Sequence, residues 1–402
     1  MLQKLALRNL GRNPRRSLVV TLIVALGTGA LFLFLGFNEG IMNQYKDNTI
    51  RSRYGHGQIF TKDYRTEVWE EPWEHWIEDY SELEKNLLAT EGVDQVFPRI
   101  NFYGLLTNGN KNISGRGQGV IGEREHTFFN TLNVVKGSNL IDQKDGILLG
   151  KGLADTLDLD IGDRVTILAN TVYGSLNGVD TEVAGIFHTG SKEFDDTVFR
   201  IQLSEAQILL DTEKVETISV GLLSEDKWPQ VENLLDRKFP ETYDAVPFHI
   251  LDKIYYQHSV DWLRSQFGVI QLIILAIVIL GILSTVSTSV FERKNEIGML
   301  RANGESKTGV FGLLCLEGFY LGLLGAVIGI LFSLFINLVL IPNGILMPPA
   351  PGLTRQFYVK IELGLGMGIY AFSLGCLTAF LGAIFASLKV VSIPITEALR
   401  ST

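Results

Sequence analysis

The residues of this 402-residue chain best suited to chemistry fall short of each active-site pattern they approach. GQGVIG (117–122) matches G-x-G-x-x-G, which serves a dinucleotide only between a buried strand and a helix. Here it sits among glycine-punctuated strands. GILLGKG (146–152) approaches a phosphate loop, but three residues separate its glycines where the working loop has four. Gly152 also stands where Ser or Thr would hold magnesium. The chain is therefore expected not to hydrolyse ATP. Six histidines are scattered without ligand spacing, and neither G-x-S-x-G nor H-E-x-x-H occurs. No catalytic residue, metal site or cofactor is assigned.

Three other features carry charge or aromatic surface in unusual places. WEEPWEHW (69–76) gathers three Trp and three Glu around Pro72. It reads as a loop pinned to its domain by indoles, or as a rim contact for a partner or amphiphilic substrate. Glu317 is the single charge between Thr308 and Ile341. An ionisable group in such a stretch faces a bundle interior or polar cavity, where a water-accessible cleft or a basic partner such as Arg301 would satisfy it; a proton-relay role finds no second acid or His in the other apolar stretches. FERKNEIGMLRANGESKTGV (291–310) places seven charges between two of the most apolar parts of the chain. It is long enough for a two-turn amphipathic helix with a turn at each side.

The elements that hold these residues follow from the charge-free windows. Ser17–Asn38, Phe267–Phe291 and Leu363–Leu388 contain no charge, and Thr308 to about Ile341 contains only Glu317. Each exceeds the roughly 20 residues that cross a hydrocarbon core. Four transmembrane helices are expected. The first is read as a span and not as a cleaved leader, being longer than a usual leader core and lacking an A-x-A site. Lys4, Arg8, Arg12, Arg15 and Arg16 precede it with no acid before Glu39, which puts that end in the cytoplasm. Both termini and the charged segment are then cytoplasmic, and residues 39–264 lie outside. The chain carries −9, with +5 on residues 1–38 and +2 on residues 265–402, leaving −16 on the outer part. That sign argues against nucleic acid as a partner. Cys315 and Cys376 both fall in expected spans, so the outer domain folds without disulfides.

Residues 39–264 read as a mixed α+β domain inserted between helices 1 and 2. GQIFTKDY, VDQVFPRINFYGLLTNG and VETISVGLL have strand character; SELEKNLLAT and LSEAQILLDT read as helices capped by Ser81 and Ser204, and KWPQVENLLDRKF as a third. GILLGKGLADTLDLDIGDRVTIL reads as strand, helix, turn, strand. Leu251, Tyr255, His258 and Trp262 recur at helical spacing, a stalk leading into the second span. The domains are thus 1–38 (elbow and first span), 39–264 (outer domain with stalks) and 265–402 (spans 2–4, the charged segment 292–307 and the tail).

NEIGMLRANGESKTGVFGLLCLEG resembles the coupling segment of the FtsX-like, MacB-type ABC transporter permeases, which leads into a span bearing an acidic residue. LALRNLGRNPRRSLVVTLIVALG is similar to that family's elbow and first span, LLGKGLADTLDLDIGDRVTIL to its periplasmic domain, and PITEALR to its tail. VAGIFHTGSKEFDDTVFRIQLSEAQILL is nearest the lipoprotein-releasing branch. Asn303 departs from the family's apolar residue. The resemblance spans the chain and implies a non-catalytic permease subunit of the bacterial inner membrane, with a periplasmic domain. Its implied partners are a second permease subunit, like or unlike, and a cytoplasmic ATPase dimer that binds ATP and Mg. Membrane lipid and a periplasmic carrier or adaptor complete the set.

By that resemblance, Glu292, Arg293, Glu296, Met299, Leu300, Arg301 and Lys307 would dock on the ATPase. Gly318, Gly322, Gly325 and Gly329 would allow close packing in the dimer. Apart from the resemblance, the stalk stripe above the second span and the apolar first span would form a cleft toward the outer leaflet that accepts lipid tails, bordered by Phe37 and Phe267. ANTVYGSLNGVDTEV would form a short hairpin presenting Tyr173 and turning at Asn177-Gly178. The implied work is extraction of lipoproteins or other lipidic substrates. The alternatives are efflux of amphiphilic molecules or peptides with an adaptor, and a scaffold that activates a periplasmic hydrolase.

Overall fold

The computed structural model describes residues 2–12, 14–62, 64–67, 71–130, 132–141, 145–348 and 356–395. Trp69, Glu70, the middle of the loop after the third span and the tail motif beyond Ile395 lie outside them. So does the Tyr255 side chain. The chain divides into two compact units. One comprises Met1–Asn43, Asp261–Met347 and Tyr358–Thr402; the other comprises Gln44–Val260 with Pro348–Phe357.

In the first unit, four helices among the described residues are long and apolar enough to cross a membrane. They are Pro14–Tyr54, His258–Phe291, Lys307–Leu340 and Leu365–Ser392, called here the first to fourth span helices. An elbow helix, Leu2–Arg12, precedes the first, and a short helix, Lys294–Ala302, lies between the second and third. Small residues set how closely the spans approach. A Cβ added at Gly318 would fall 2.2 Å from Ala383 Cβ, and one at Gly322 2.8 Å from Ala379 Cβ, both on the fourth helix. Cβ atoms at Gly325 and Gly329 would fall 2.6 Å from Val24 Cβ and 2.4 Å from the Ala25 carbonyl oxygen, on the first helix. These four glycines, expected at a dimer seam, therefore pack the third span helix against its own chain. Ser333 Oγ seals that contact, its one proton shared between the carbonyls of Gly29 and Gly329 at 3.0 and 2.9 Å.

In the second unit, ten described strands form one sheet organised around a long strand of their number, β2 (Val93–Thr107). Its first half pairs antiparallel with β9 (Thr217–Leu222), which leads through β1 (Gly57–Thr61) to β10 (Tyr243–Pro247). Its second half pairs on one side with β3 (Asn112–Val120) and on the other with β6 (Arg164–Asn170). From β3 the pairing runs through β8 (Val198–Gln202), β5 (Gly146–Gly150) and β7 (Leu176–His188) back to β6. Six strands thus close a ring, which leaves no open edge among them. The last strand, β4 (Asn133–Gly137), pairs outside it with β7. β5 is buried along its whole length, as its unbroken apolar run requires.

The glycines of the two phosphate-like stretches serve packing. A Cβ at Gly150 would meet the Asp195 carbonyl oxygen at 2.3 Å, and one at Gly117 the Phe102 ring at 2.3 Å. Helices form at Ser81–Leu88 and Leu203–Leu210, but neither expected Ser cap forms a capping bond. Asp79 accepts the Ser81 N–H instead, at 2.9 Å. The stalk stripe is interrupted by a π-helical turn, Lys253–Gln257. Trp76 is buried and Trp73 packs beside it on the core. For the described part of that segment the pinned-loop reading holds.

A buried ion cluster crosses this domain. Arg99 Nε and Nη2 each lie 2.6 Å from Glu125 carboxylate oxygens, and Arg200 Nη1 lies 3.2 Å from the same carboxylate. The Arg99 guanidinium also sits 3.9 Å over the Phe129 ring. Two cations on one anion require such added partners in low dielectric.

Candidate functional site

The segment between the second and third span helices is built by simple local rules. Ile297 and Gly298 are buried, and Leu300 packs beside Val290, Val310, Leu314 and Val390. Those spacings give the short helix one inward face. It ends at Asn303 and at Gly304, whose φ of +95° favours glycine. Ser306 then caps the third span helix, its Oγ accepting the Gly309 N–H at 3.1 Å.

Arg293 and Glu317 form the centre of the junction. Both are buried, and Arg293 Nη1 donates to Glu317 Oε2. Asn9 Nδ2 of the elbow helix donates to Glu317 Oε1 at 2.7 Å. Arg293 Nε donates to Glu296 Oε2 at 3.0 Å, and Arg12 Nη2 reaches the same oxygen at 3.3 Å. Burial raises the Glu296 pKa, but the Arg293 hydrogen bond and the charges of Arg293, Arg12 and Arg16 outweigh it and hold the carboxyl below its usual range. The elbow, the short helix and the third span helix are thereby joined through five polar side chains.

Of the ways foreseen to satisfy Glu317, a basic partner is the one formed, but it is Arg293 and not Arg301. Arg301 Nη1 donates to the carbonyls of Val391 and Ile393 at 3.0 and 2.6 Å. It satisfies acceptors left open at the C-terminal end of the fourth span helix. Leu300 likewise packs on its own bundle. Of the residues assigned to docking, Glu292, Met299 and Lys307 are exposed, Met299 at 53 %. Sequence reasoning missed Asn9, Arg12 and Arg16. The cluster of basic residues ahead of the first span was a usable sign for Arg12 and Arg16; Asn9 carried none.

Phe37 and Phe267 are each half-buried on the first and second span helices. In the outer domain the β6–β7 hairpin does not turn at Asn177-Gly178. Asn177 pairs with Ala169 and Gly178 with Leu168 inside the strands. The turn is Thr171–Ser175, closed by Thr171 N–H to the Ser175 carbonyl at 2.7 Å, with Gly174 at φ +80°. Tyr173 stands at its tip, 79 % exposed. Asn177 Nδ2 instead caps a helix end, donating to the carbonyls of Ile208 and Leu209 at 3.1 Å. Among the described residues no cluster of His, Cys, Asp and Glu is arranged to hold a metal.

Comparison with known proteins matches residues 17–238 to the MacB-like periplasmic core domain and residues 268–395 to the FtsX-like permease C-terminal region. The lipoprotein-releasing system transmembrane protein LolE of Haemophilus influenzae is 22% identical over 340 residues, covering 81% of this chain and 79% of that protein. LolC of Neisseria meningitidis is 23% identical over 328 residues, covering 78% and 75%. The crystal structure of the periplasmic region of MacB from Actinobacillus actinomycetemcomitans aligns with a TM-score of 0.36 at 14% identity, covering 49% of this chain and 90% of that one.

Proposed function

The chain belongs to the ABC transporter permease family that joins a MacB-like periplasmic core domain to an FtsX-like permease C-terminal region, and we propose that it couples hydrolysis by a separate cytoplasmic ATPase to movement of its periplasmic domain. The observation that carries this is the short helix Lys294–Ala302. One face is fastened to the bundle by Arg293, Ile297 and Arg301, while Met299 and Asn303 stay exposed on the other. A mere connector has no use for an apolar side chain held outward among charges. A docking helix would bury it in a partner groove with a polar rim. In this reading the subunit lies in the inner membrane with both termini cytoplasmic. It pairs with a second permease and carries neither ATP nor Mg itself.

The substrate proposed is a lipoprotein or another lipidic molecule drawn from the outer leaflet, in keeping with the similarity to LolE and LolC, transmembrane proteins of lipoprotein-releasing systems. A second reading is efflux of an amphiphilic molecule through an adaptor, favoured by the short Thr171–Ser175 turn, which offers a soluble carrier little to grasp. The test is co-purification of the tagged full chain from its native membrane, with ATP turnover assayed before and after the ATPase is stripped. Turnover should vanish with the ATPase; turnover by the lone chain overturns the coupling role. A lipoprotein carrier or an adaptor in the eluate separates the two substrate readings.

A further inference from the structure

Within the first unit, the first and second span helices touch in their inner halves and part in their outer halves. A Cβ at Gly27 would fall 2.9 Å from Val278 Cγ1, and Ile274 and Leu275 pack on the cluster of Leu31, Phe32 and Ala371. Deeper still, Ile282, Val286 and Val290 are buried. Between Asp261 and Gly281, by contrast, no residue of the second helix is buried. The outer half of the first helix is held from its opposite side. A Cβ at Gly36 would fall 2.6 Å from Leu363 Cδ2, and the Gly36 carbonyl accepts the Glu362 N–H at 3.0 Å. The side it turns to the second helix is left facing a gap.

Two carboxamides stand on the walls of that gap. Asn38 follows Gly27 by about three full turns, so it shares the face that Gly27 turns to Val278. Gln271 precedes Val278 by about two turns and shares its face in the same way. Accordingly, Leu263, Phe267 and Gln271 are half-buried, while every other residue of the stretch 261–273 is exposed. Neither amide has found a partner. Asn38 Oδ1 is shut off from solvent and bonded to nothing, and Gln271 makes no hydrogen bond with a described residue. The contacts of Gly27 and Leu31 show that the helices run in opposite directions. Counting outward from Gly27 and Val278 puts Asn38 about one turn farther out than Gln271. Helical side chains lean toward their own N-terminus, so Asn38 leans inward and Gln271 outward, each toward the other. We infer that Asn38 and Gln271 are the two halves of a latch, which pair by hydrogen bonds when the outer halves of the two helices close and separate when they part, opening that side of the bundle to lipid. An interhelical hydrogen bond in a membrane is worth a factor of about three, and two carboxamides can exchange two. That is enough to bias closing by about three- to tenfold and weak enough to be released. The latch would govern entry of a lipidic substrate, so it deepens the proposed function and rests on it for its purpose. The pairing itself needs neither substrate nor ATPase.

The experiment uses the full-length chain alone in phospholipid bilayers, with Cys315→Ser and Cys376→Ser, and nitroxide labels on cysteines placed at the exposed Glu39 and Arg264. Pulsed dipolar spectroscopy should resolve a short and a long distance, the closed and parted helices. Asn38→Leu and Gln271→Leu should each lower the short-to-long ratio by about three- to tenfold. The double variant should lose no more than either single one, because one amide alone latches nothing. The exchange Asn38→Gln with Gln271→Asn keeps both carboxamides and should keep most of the short population. One distance, unchanged across all variants, would overturn the latch, and so would losses that add in the double variant. Dilution with unlabelled chain tests the other occupant. If it removes the short distance, the amides meet across two subunits and a latch within one chain is overturned. If the leucine variants do not insert, Gln271→Met, which keeps the length without the amide, decides, and a wild-type ratio there overturns the proposal. Failed coupling to the ATPase with a normal response of the labels would sink the proposed function and leave the latch standing.

Discussion

Asn9 and Glu317 are 308 residues apart in sequence, yet the Asn9 amide donates to Glu317 Oε1 at 2.7 Å while Arg293 takes the other carboxylate oxygen. The elbow and the third span helix are thus joined through the one acid that the apolar stretch contains. Neither helix can shift along the other without breaking a half-buried polar contact. The short helix hangs from the same carboxylate through Arg293, so force applied there is delivered first to the third span helix and the elbow.

That arrangement sets the first prediction. Arg293→Ala leaves Glu317 buried with only Asn9, and breaking one side of a buried pair destabilises by about 3–5 kcal/mol. Glu317→Arg alone should be worse, since two cations then face each other. The double exchange Arg293→Glu with Glu317→Arg should regain much of the loss. Thermal unfolding of the three variants in detergent checks this; a double exchange no more stable than Glu317→Arg alone would show that the pair does not act as a unit.

The second concerns Gly329. An alanine methyl there would sit 2.4 Å from the Ala25 carbonyl oxygen, and backbone cannot step aside as a flexible side chain would. Gly329→Ala should lower stability by about 1–3 kcal/mol, the usual range for overpacking. Gly312→Ala on the same helix should be nearly neutral, since nothing lies within 4 Å of its added Cβ. The loss should be seen in the isolated monomer. If it arises only on dimerisation, the seam lies between subunits after all.

Much of the architecture was legible because charge avoidance is a strong signal. Four windows nearly empty of charge correspond to the four long apolar helices. Strand alternation placed β1, β2, β6 and β9. What stayed hidden depends on distant partners. Nothing in the order of residues tells Arg293 from Arg301 as the mate of Glu317. That choice follows from where the fourth span helix ends and leaves its carbonyls open. Asn177-Gly178 is a strong local turn signal, but the β6–β7 register overrides it and turns the Asn177 amide to a neighbouring helix end. Closure of the six-strand ring is likewise a long-range fact.

The third prediction concerns pH. His56 Nδ1 accepts the Leu222 N–H at 3.0 Å, and burial holds its pKa at about 4. An unfolded histidine titrates near 6.5, so the unfolded chain takes up this proton first. The stability His56 confers is whole above about pH 6.5 and drains as pH falls toward 4, by about 2 kcal/mol once solvent screening is discounted. Burial raises the Glu216 and Asp252 carboxyls, which favours the fold on acidification, so the measurement must isolate His56. The stability gap between wild type and His56→Gln should narrow steadily between pH 7 and 5. A gap independent of pH would show that His56 is protonated alike in both states.

The last prediction concerns Met299. The sequence paired it with Leu300 and Arg301 as one docking surface, but Leu300 packs on the bundle and Arg301 closes the fourth span helix. Reversing Arg301 would therefore damage the subunit itself and say little about docking. Met299 offers the cleaner test, being 53 % exposed on the outer face of the short helix. Met299→Asp should leave the melting temperature of the lone chain nearly unchanged, because Met299 stands outside the apolar cluster that holds the short helix. In the assembled transporter it would put an unpaired charge into the contact and weaken the ATPase complex by about 2–5 kcal/mol. Pull-down of the ATPase should fall accordingly, or hydrolysis should continue without transport, while Leu300→Asp should lower the melting temperature before any partner is added. Wild-type pull-down and transport in Met299→Asp would mean that the ATPase engages some other part of the cytoplasmic surface.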